Sequence, residues 1–458
     1  MTGIQEEVIL DSSASAETPA ALLKRIEREI DAEGAGRYPS IRKSAPQYVE
    51  GFLERLGLEG EERERARAML LDFDDGERAR SLFKAVVSHL PEEHQRFLLD
   101  EQRVLPAEIT TTDINAHTLR AGNGGWLILI NTGLITFAYK TARALATRVR
   151  FYDPDGDGAP EADEPPPEDL DVTAQLIATP IDWYLEAGIP LGPDFPITNQ
   201  QMALANDLAT AAEQFVVAHE LAHQLLGHVA DGTRSMLVAG ATVDALNVSH
   251  QQELDADALG LKLVLESITS GDQFEYAVAY AGVELFFLVV SLLEEYAAAP
   301  ESATHPPAAR RLESIRAALA SGVEDERQRD SVAELAKLIE QLWNDVRERV
   351  LDPERHARAS EAQADCDAFV RRLVRTSGPL DERVASAVQE LGRVVFDYPP
   401  QVLSMALAKE LRAAIDDGRG RGTDESGPYG RFMVAARLAE SRWLDTAVLI
   451  RAGLEPAA

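Results

Sequence analysis

Between Gln214 and Ala230 the chain reads QFVVAHELAHQLLGHVA, which sets His219, Glu220 and His223 among apolar neighbours. Phe215, Val216, Val217, Leu221, Leu225 and Leu226 occupy most of a helix circumference, the pattern of a helix packed in an interior rather than lying on a surface. At about 3.6 residues per turn, His219 and His223 share one face and Glu220 lies about 100° round the helix. This is H-E-x-x-H spacing. Two imidazoles can hold one zinc ion, and the carboxylate beside them can take a proton from a water that the ion activates.

Such a centre needs a third protein ligand, and His228, His250, Glu253, Asp255 and Asp257 are close enough in sequence to be considered. The spacing with a further histidine six residues after the second fails, because that position is Val229 and His228 falls one residue short. Glu253 and Asp257 instead stand i, i+4 on a second helix. Ser249 opens it, its hydroxyl placed to cap the amide of Gln252 while Gln252 reaches back. Ala256, Ala258 and Gly260 would let that helix approach the first closely. One carboxylate can bind the metal while the other accepts the ring N–H of a metal-bound histidine and sets its tautomer. The expected set is His219, His223 and Glu253 around a single Zn2+ per chain, with Asp257 orienting His219 and Glu220 as the base.

The elements around these residues are mostly helical. Helical spacing recurs from Ala20, over Tyr48–Leu56, Glu61–Phe73 and Glu77–Leu90, from Thr132 through Ala146, from Thr198, over 274–297 and Ala308–Ala320, and in amphipathic stretches from Val332 to Val448. Between Glu108 and Asn131 the period turns strand-like on either side of AGNGG, a hairpin signal with Asn123-Gly124 at the turn. The fold class is therefore mainly α with a small β-hairpin or sheet (α+β). The organisation expected is a helical N-terminal region over 1–103, a catalytic core over 104–322 and a helical C-terminal region over 323–458. The core carries an acidic, proline-broken insertion at about 150–197. Residues 1 to about 16 read as a loose terminus, and Asp231-Gly232 as the end of the H-E-x-x-H helix.

A net charge of −32 argues against nucleic acid or an anionic membrane as partner. The first residues show no secretory signal, and the single cysteine, Cys366, allows no internal disulfide, so a cytoplasmic protein is expected. Tyr276–Leu293 approaches spanning length, but Glu284 interrupts it and Glu275, Glu294 and Glu295 flank it where Lys or Arg would be needed, which favours a buried core helix over an integral membrane segment. Asp153, Asp155, Asp157, Gly158 and Glu164 satisfy a calcium-loop spacing, but Pro160 inside it and three prolines after it argue against calcium at 153–164.

With these residues in place, the chain resembles the gluzincin peptidases, in particular the HtpX, OMA and CAAX-prenyl endopeptidase family. Asn115-Ala116 and Gly133-Leu134-Ile135 look like that family's steps before the zinc helix, Glu253-Leu254-Asp255-Ala256-Asp257 like its E-x-x-A-D, and Thr304-His305-Pro306 with Arg311 like its T-H-P-x-x-x-x-R. The resemblance covers roughly Thr110 to Ala320 and implies a zincin-like core, a zinc-dependent endopeptidase and a protein or peptide substrate. It further implies that Trp126, Leu127, Ile128, Leu129, Ile130 and Asn131 form the edge strand along which the substrate lies. His305 would stabilise the oxyanion and Arg311 would brace that loop or the substrate. The membrane helices of many members are missing, and the stretch from Gly133 to His219 is long where the family is compact. Two other readings stand beside this one: a catalytically silent, zinc-stabilised helical scaffold or regulator, and a phage-exclusion type host-directed peptidase, which the zinc helix alone resembles.

Overall fold

The computed structural model describes residues 17–33, 60, 77–100, 103–109, 111, 114–149, 170–188, 190, 197–228, 233–238, 241–246, 248–268, 273–297, 305–322, 326–351, 363–394, 400–418 and 426–439. The calcium-like spacing at 153–164 and the helices expected at 48–56 and 61–73 lie outside these residues, as do the first sixteen residues and the end of the last expected helix. Within them the protein is mainly helical with a small mixed sheet, the class its periodicities imply.

The most β-prone run, Trp126–Asn131, forms β3, and both of its faces are buried. Ile128 and Ile130 enter the main core, while Leu127 and Leu129 enter a smaller cluster closed by Leu22 and Ile26 of α1 (Pro19–Glu33). The sheet order is β1-β3-β2-β5-β4. β1 (Val104–Ile109) runs parallel to β3, and β2 (Ala116–Arg120) pairs with it antiparallel across the turn at Asn123-Gly124, where Gly124 takes φ 82°. The hairpin is where the period change put it.

The edge-strand expectation is corrected. β3 has β1 on one side and β2 on the other, because a run apolar at every position needs both neighbours and both faces covered. Among the described residues, the nearest strand that is paired over only part of one side is β2. β5 (Ala241–Leu246) pairs with it only at Leu119 and Arg120, so on that side Ala116–Thr118 has no strand among the described residues. β4 (Thr233–Val238) and β5 form a second hairpin that periodicity did not reveal.

On the face of the sheet opposite α1 lies α6 (Asn199–Leu225), which carries the H-E-x-x-H stretch and packs against α4 (Thr132–Ala146), α7 (His250–Glu266) and α8 (Gln273–Tyr296). Thr198 and Ser249 each complete a capping box at the heads of α6 and α7. α6 stops at Leu225 rather than near Asp231-Gly232, because Gly227 adopts φ 74° just past its end.

The 170–187 part of the expected insertion is instead a helix, α5 (Leu170–Ala187), with Pro180 inside it. Its Trp183 is fully buried and donates from Nε1 to Ser404 Oγ at 2.6 Å. Trp183 thereby joins α5 to a second core built from α11 (Gln363–Val374), α12 (Leu380–Val394), α13 (Pro400–Gly418) and α14 (Pro428–Ala439). α10 (Glu326–Val350) belongs to the main core through Val332, Trp343 and Val346, so packing is continuous across the boundary expected near residue 322.

α8 is long and apolar enough to cross a membrane by length and composition, and 67% of that window is buried within the protein. Its acid, Glu284, is fully buried against the Arg316 guanidinium of α9 (Ala308–Gly322), and Arg316 also donates to Glu340 at 3.0 Å. α8 reaches α6 through Gly282. A Cβ there would stand 2.5 Å from the Leu208 carbonyl oxygen and 2.6 Å from Ala211 Cβ. Gly282→Ala is therefore expected to force the helices apart and cost about 1–3 kcal/mol, read as a lower denaturation midpoint; an unchanged midpoint would contradict this crossing.

Glu213, six residues before His219 on α6, is buried beside Arg78 of α2 (Glu77–Val87), the helix that precedes the short α3 (Glu92–Leu98); Arg78 donates to it at 2.5 Å, and one carboxylate oxygen has no partner. Burial outweighs Arg78, and with the nearby Glu108 charge it raises the Glu213 carboxyl to about 7. The folded protein then holds a proton that the unfolded chain releases near 4.5. Stability from this group is present below that lower value and lost as pH rises through about 7, a contribution on the order of 3 kcal/mol. Glu213→Gln should flatten the stability profile between pH 5 and 8, measured by denaturant titration.

Candidate metal centre and active site

α6 and α7 bring their polar residues together because Gly260 of α7 lies on the backbone of His219. A Cβ at that position would meet His219 N at 3.1 Å and Cα at 3.2 Å. Three potential ligand atoms, one each from His219, His223 and Glu253, come within 4.8 Å of one another, and all three residues are buried. This group can hold a metal ion.

Its proton bookkeeping fits a cation. Asp257 Oδ1 sits 2.9 Å from His219 Nδ1, which places the ring proton there and leaves Nε2 as an electron pair. That Nε2 faces His223 Nε2 at 3.2 Å, and Glu253 oxygens lie 3.5 Å from each ring. Three electron-pair donors thus converge. Burial alone would disfavour charge on His219, but Asp257 and Glu253 outweigh it and raise the imidazole to about 10. Burial and the adjacent His219 drive His223 down to about 3. One positive charge is wanted here, and a metal ion competes for it with the His219 proton. Glu253 is held far below the usual carboxylate range: burial opposes this, and hydrogen bonds from His219 and His305 overcome it.

Arg311 of α9 grips Asp257 with two hydrogen bonds, Nε to Oδ2 at 2.8 Å and Nη2 to Oδ1 at 2.6 Å, and its guanidinium stacks over Phe287, 5.1 Å from the ring centre. Burial resists the Asp257 charge, yet Arg311 lowers its carboxyl below the ordinary range. His305, on the loop before α9, places Nδ1 2.9 Å from Glu253 Oε2 and lines the cleft beside Glu220. Glu220 is partly exposed to that cleft, and Thr118 Oγ1 of β2 donates to its Oε2 at 2.6 Å.

The structure therefore gathers His219, Glu220, His223, Glu253, Asp257, His305 and Arg311 into one place, whereas Trp126–Asn131 lies one strand further into the sheet. Asp255, considered as a ligand, instead accepts a hydrogen bond from Gln251, and it is exposed.

Two participants escaped sequence reasoning. Thr118 faces α6 because it pairs with Ile128, whose side chain enters the core on that face; the strand alternation after Asn115-Ala116 was the available signal. His228 was weighed only as a ligand, yet its Nδ1 lies 2.9 Å from His223 Nδ1. The helix break at Gly227 turns it back. In a continuing helix a residue five positions on would point well away from His223. With His223 Nε2 in the trio, its Nδ1–H donates to His228, so His228→Ala should weaken metal binding roughly 10–100-fold, measured against a competing chelator, with partial recovery in His228→Gln.

A family model described as Peptidase U49 matches residues 138–333. The chain resembles a peptidase family. The match runs from α4 into α10 and contains every residue of the site except Thr118, and it supports a peptidase function. It names a peptidase family in general terms, and the narrower resemblance to the HtpX, OMA and CAAX-prenyl endopeptidases rests on the residues quoted for it. No curated protein and no solved structure matches the chain.

Proposed function

We propose that this protein is a zinc-dependent endopeptidase of gluzincin type, holding one zinc ion with His219, His223 and Glu253. The observation that carries the reading is the convergence of these three ligands beside Glu220 at the head of a cleft. A His2Glu set with a neighbouring carboxylate matches zinc hydrolase chemistry. Bound zinc supplies Lewis acidity toward the attacking water and the scissile carbonyl.

The chain's own residues do the rest. Glu220 takes the proton from water as the C–O bond forms and delivers it to the amide nitrogen as the C–N bond breaks, so that a carboxylate and an amine leave. Thr118 holds Glu220 Oε2 in place for this transfer. Asp257 fixes the His219 tautomer, and Arg311 keeps Asp257 charged. His305 serves the negative charge that develops on the carbonyl oxygen. The substrate runs extended beside β2 at Ala116–Thr118, on the side where no strand pairs with it among the described residues, which replaces the β3 edge expected from sequence.

The test is metal analysis of the purified protein, followed by identification of newly formed protein N-termini with wild type, chelator-treated wild type and Glu220→Gln. Stoichiometric zinc and cleavage lost in both treated arms support the reading. Cleavage that persists in either arm overturns it.

A further inference from the structure

α9 begins without a cap of its own. His305 is followed by Pro306, Pro307 and Ala308, and the helix ladder opens at the Pro307 carbonyl, which accepts the Arg311 N–H at 3.1 Å. A helix leaves its first N–H groups without partners inside it, and Ser, Thr, Asp or Asn usually stands where its side chain can accept one. Proline has no such side chain, and Ala308 is buried, so its N–H needs an acceptor from the protein. That acceptor comes from another helix: Glu294 Oε2 of α8 takes the Ala308 N–H at 3.0 Å. A carboxylate at this end of a helix also complements the partial positive charge there.

The capped end is the one that reaches the metal centre. Arg311, one turn into α9, holds Asp257 behind His219, and His305, three residues before Ala308, meets Glu253 Oε2 at 2.9 Å. The link from His305 to Ala308 is stiff, since each proline fixes its own φ and restricts the residue before it. A shift of the helix head is therefore passed to both side chains. Further along, Arg316 is bound to the buried Glu284 of α8, donating from Nε at 3.1 Å. Two carboxylates of α8 thus grip α9, with Arg311 between them.

Glu294 belongs to none of the spacings that mark the site, and it lies on the cleft wall with His305, Pro306 and Arg311. Resting on the zinc-peptidase reading above, we infer that Glu294 is a positioning residue: by capping α9 from α8 it holds His305 on Glu253 and Arg311 on Asp257, and so sets the geometry of His219 and Glu253 from outside the ligand set. The role needs an acceptor oxygen at that point rather than a charge, which distinguishes it from a carboxylate that meets the substrate directly.

The test compares wild type with Glu294→Ala, Glu294→Gln, Glu294→Asp and Glu295→Ala as full chains. Glu295 is the control, since it is the next residue, carries the same charge and pairs with Arg347 of α10. Three quantities are read: amide exchange over residues 305–312 of the metal-free protein by mass spectrometry, zinc affinity against a competing chelator, and kcat and KM on a peptide that wild type cleaves and Glu220→Gln does not. Glu294→Ala is expected to speed exchange there roughly tenfold and to weaken zinc binding roughly tenfold, lowering kcat with KM nearly unchanged. Glu294→Gln should recover most of all three, because its amide oxygen can take the same N–H, and Glu295→Ala should match wild type. Glu294→Asp keeps the charge but ends one methylene short, and should behave like Glu294→Ala. Unchanged exchange and zinc affinity in Glu294→Ala would overturn the inference. So would a Glu294→Gln variant as impaired in turnover as Glu294→Ala while its exchange stays at the wild-type rate, because the charge would then act on the substrate. If no peptide is cut in a Glu220-dependent way, the peptidase reading falls, while exchange and zinc affinity still decide the role of Glu294. Should Glu294→Ala fail to fold, Glu294→Asp against Glu294→Gln makes the same comparison.

Discussion

Glu220→Gln is expected to keep the fold and a full complement of zinc while peptide hydrolysis falls by roughly 10²–10⁴-fold. The substitution preserves size and leaves an amide oxygen to accept the Thr118 hydroxyl, now at 2.6 Å from Glu220 Oε2, so the side chain stays where it is. The ligands are untouched because Glu220 lies round the helix from His219 and His223. Only the ability to take a proton is lost. Zinc content by elemental analysis and turnover of any substrate found for the wild type measure the two halves separately. Full turnover would remove Glu220 from its role, and loss of zinc would show that the carboxylate holds the metal instead.

Glu253→Ala is the complementary case, expected to lose stoichiometric zinc and stability together. Glu253 is 1% exposed, and its oxygens face His219 and His223 at 3.5 Å, His305 at 2.9 Å and Arg311 at 3.7 Å. Removing it takes away a ligand and leaves a buried cluster with too little negative charge, a defect that typically costs about 3–5 kcal/mol. Asp257 cannot substitute, since both its oxygens are occupied by Arg311 and His219. Glu253→Gln separates the two effects: it fills the same space, restores part of the stability and still binds zinc poorly. Retention of one zinc per chain in both variants would exclude Glu253 as a ligand.

Features written within one or two helical turns were legible in the residues alone. The H-E-x-x-H and E-x-x-x-D spacings place side chains on common helix faces by helical geometry alone, and the boxes at Thr198 and Ser249 mark helix heads three residues at a time. Gly260 was readable as a point of close approach because a missing side chain has few other uses within an otherwise regular helix. Other features are set by contacts distant in sequence. α5 falls within the insertion expected at about 150–197, after its acidic, proline-broken run. It is nevertheless a helix, held by the burial of Trp183 against Ser404, more than two hundred residues on.

The residues by themselves determined which groups meet: two imidazoles and a carboxylate on one helix, and two carboxylates on the next, are spacings that local backbone geometry turns directly into positions. Only the tertiary structure decided what surrounds that chemistry. Strand order places β2 rather than β3 beside Glu220, and no local signal can choose between two arms of one hairpin once a third strand, β1, pairs from outside. The stop at Gly227 turns His228 onto His223, while α8 packs on α6, and α9, packed against α7 and α8, delivers Arg311 to Asp257 and leaves a cleft beside Glu220. A pocket is a space between elements, so its size and lining are set by how those elements pack rather than by the order of residues within any one of them.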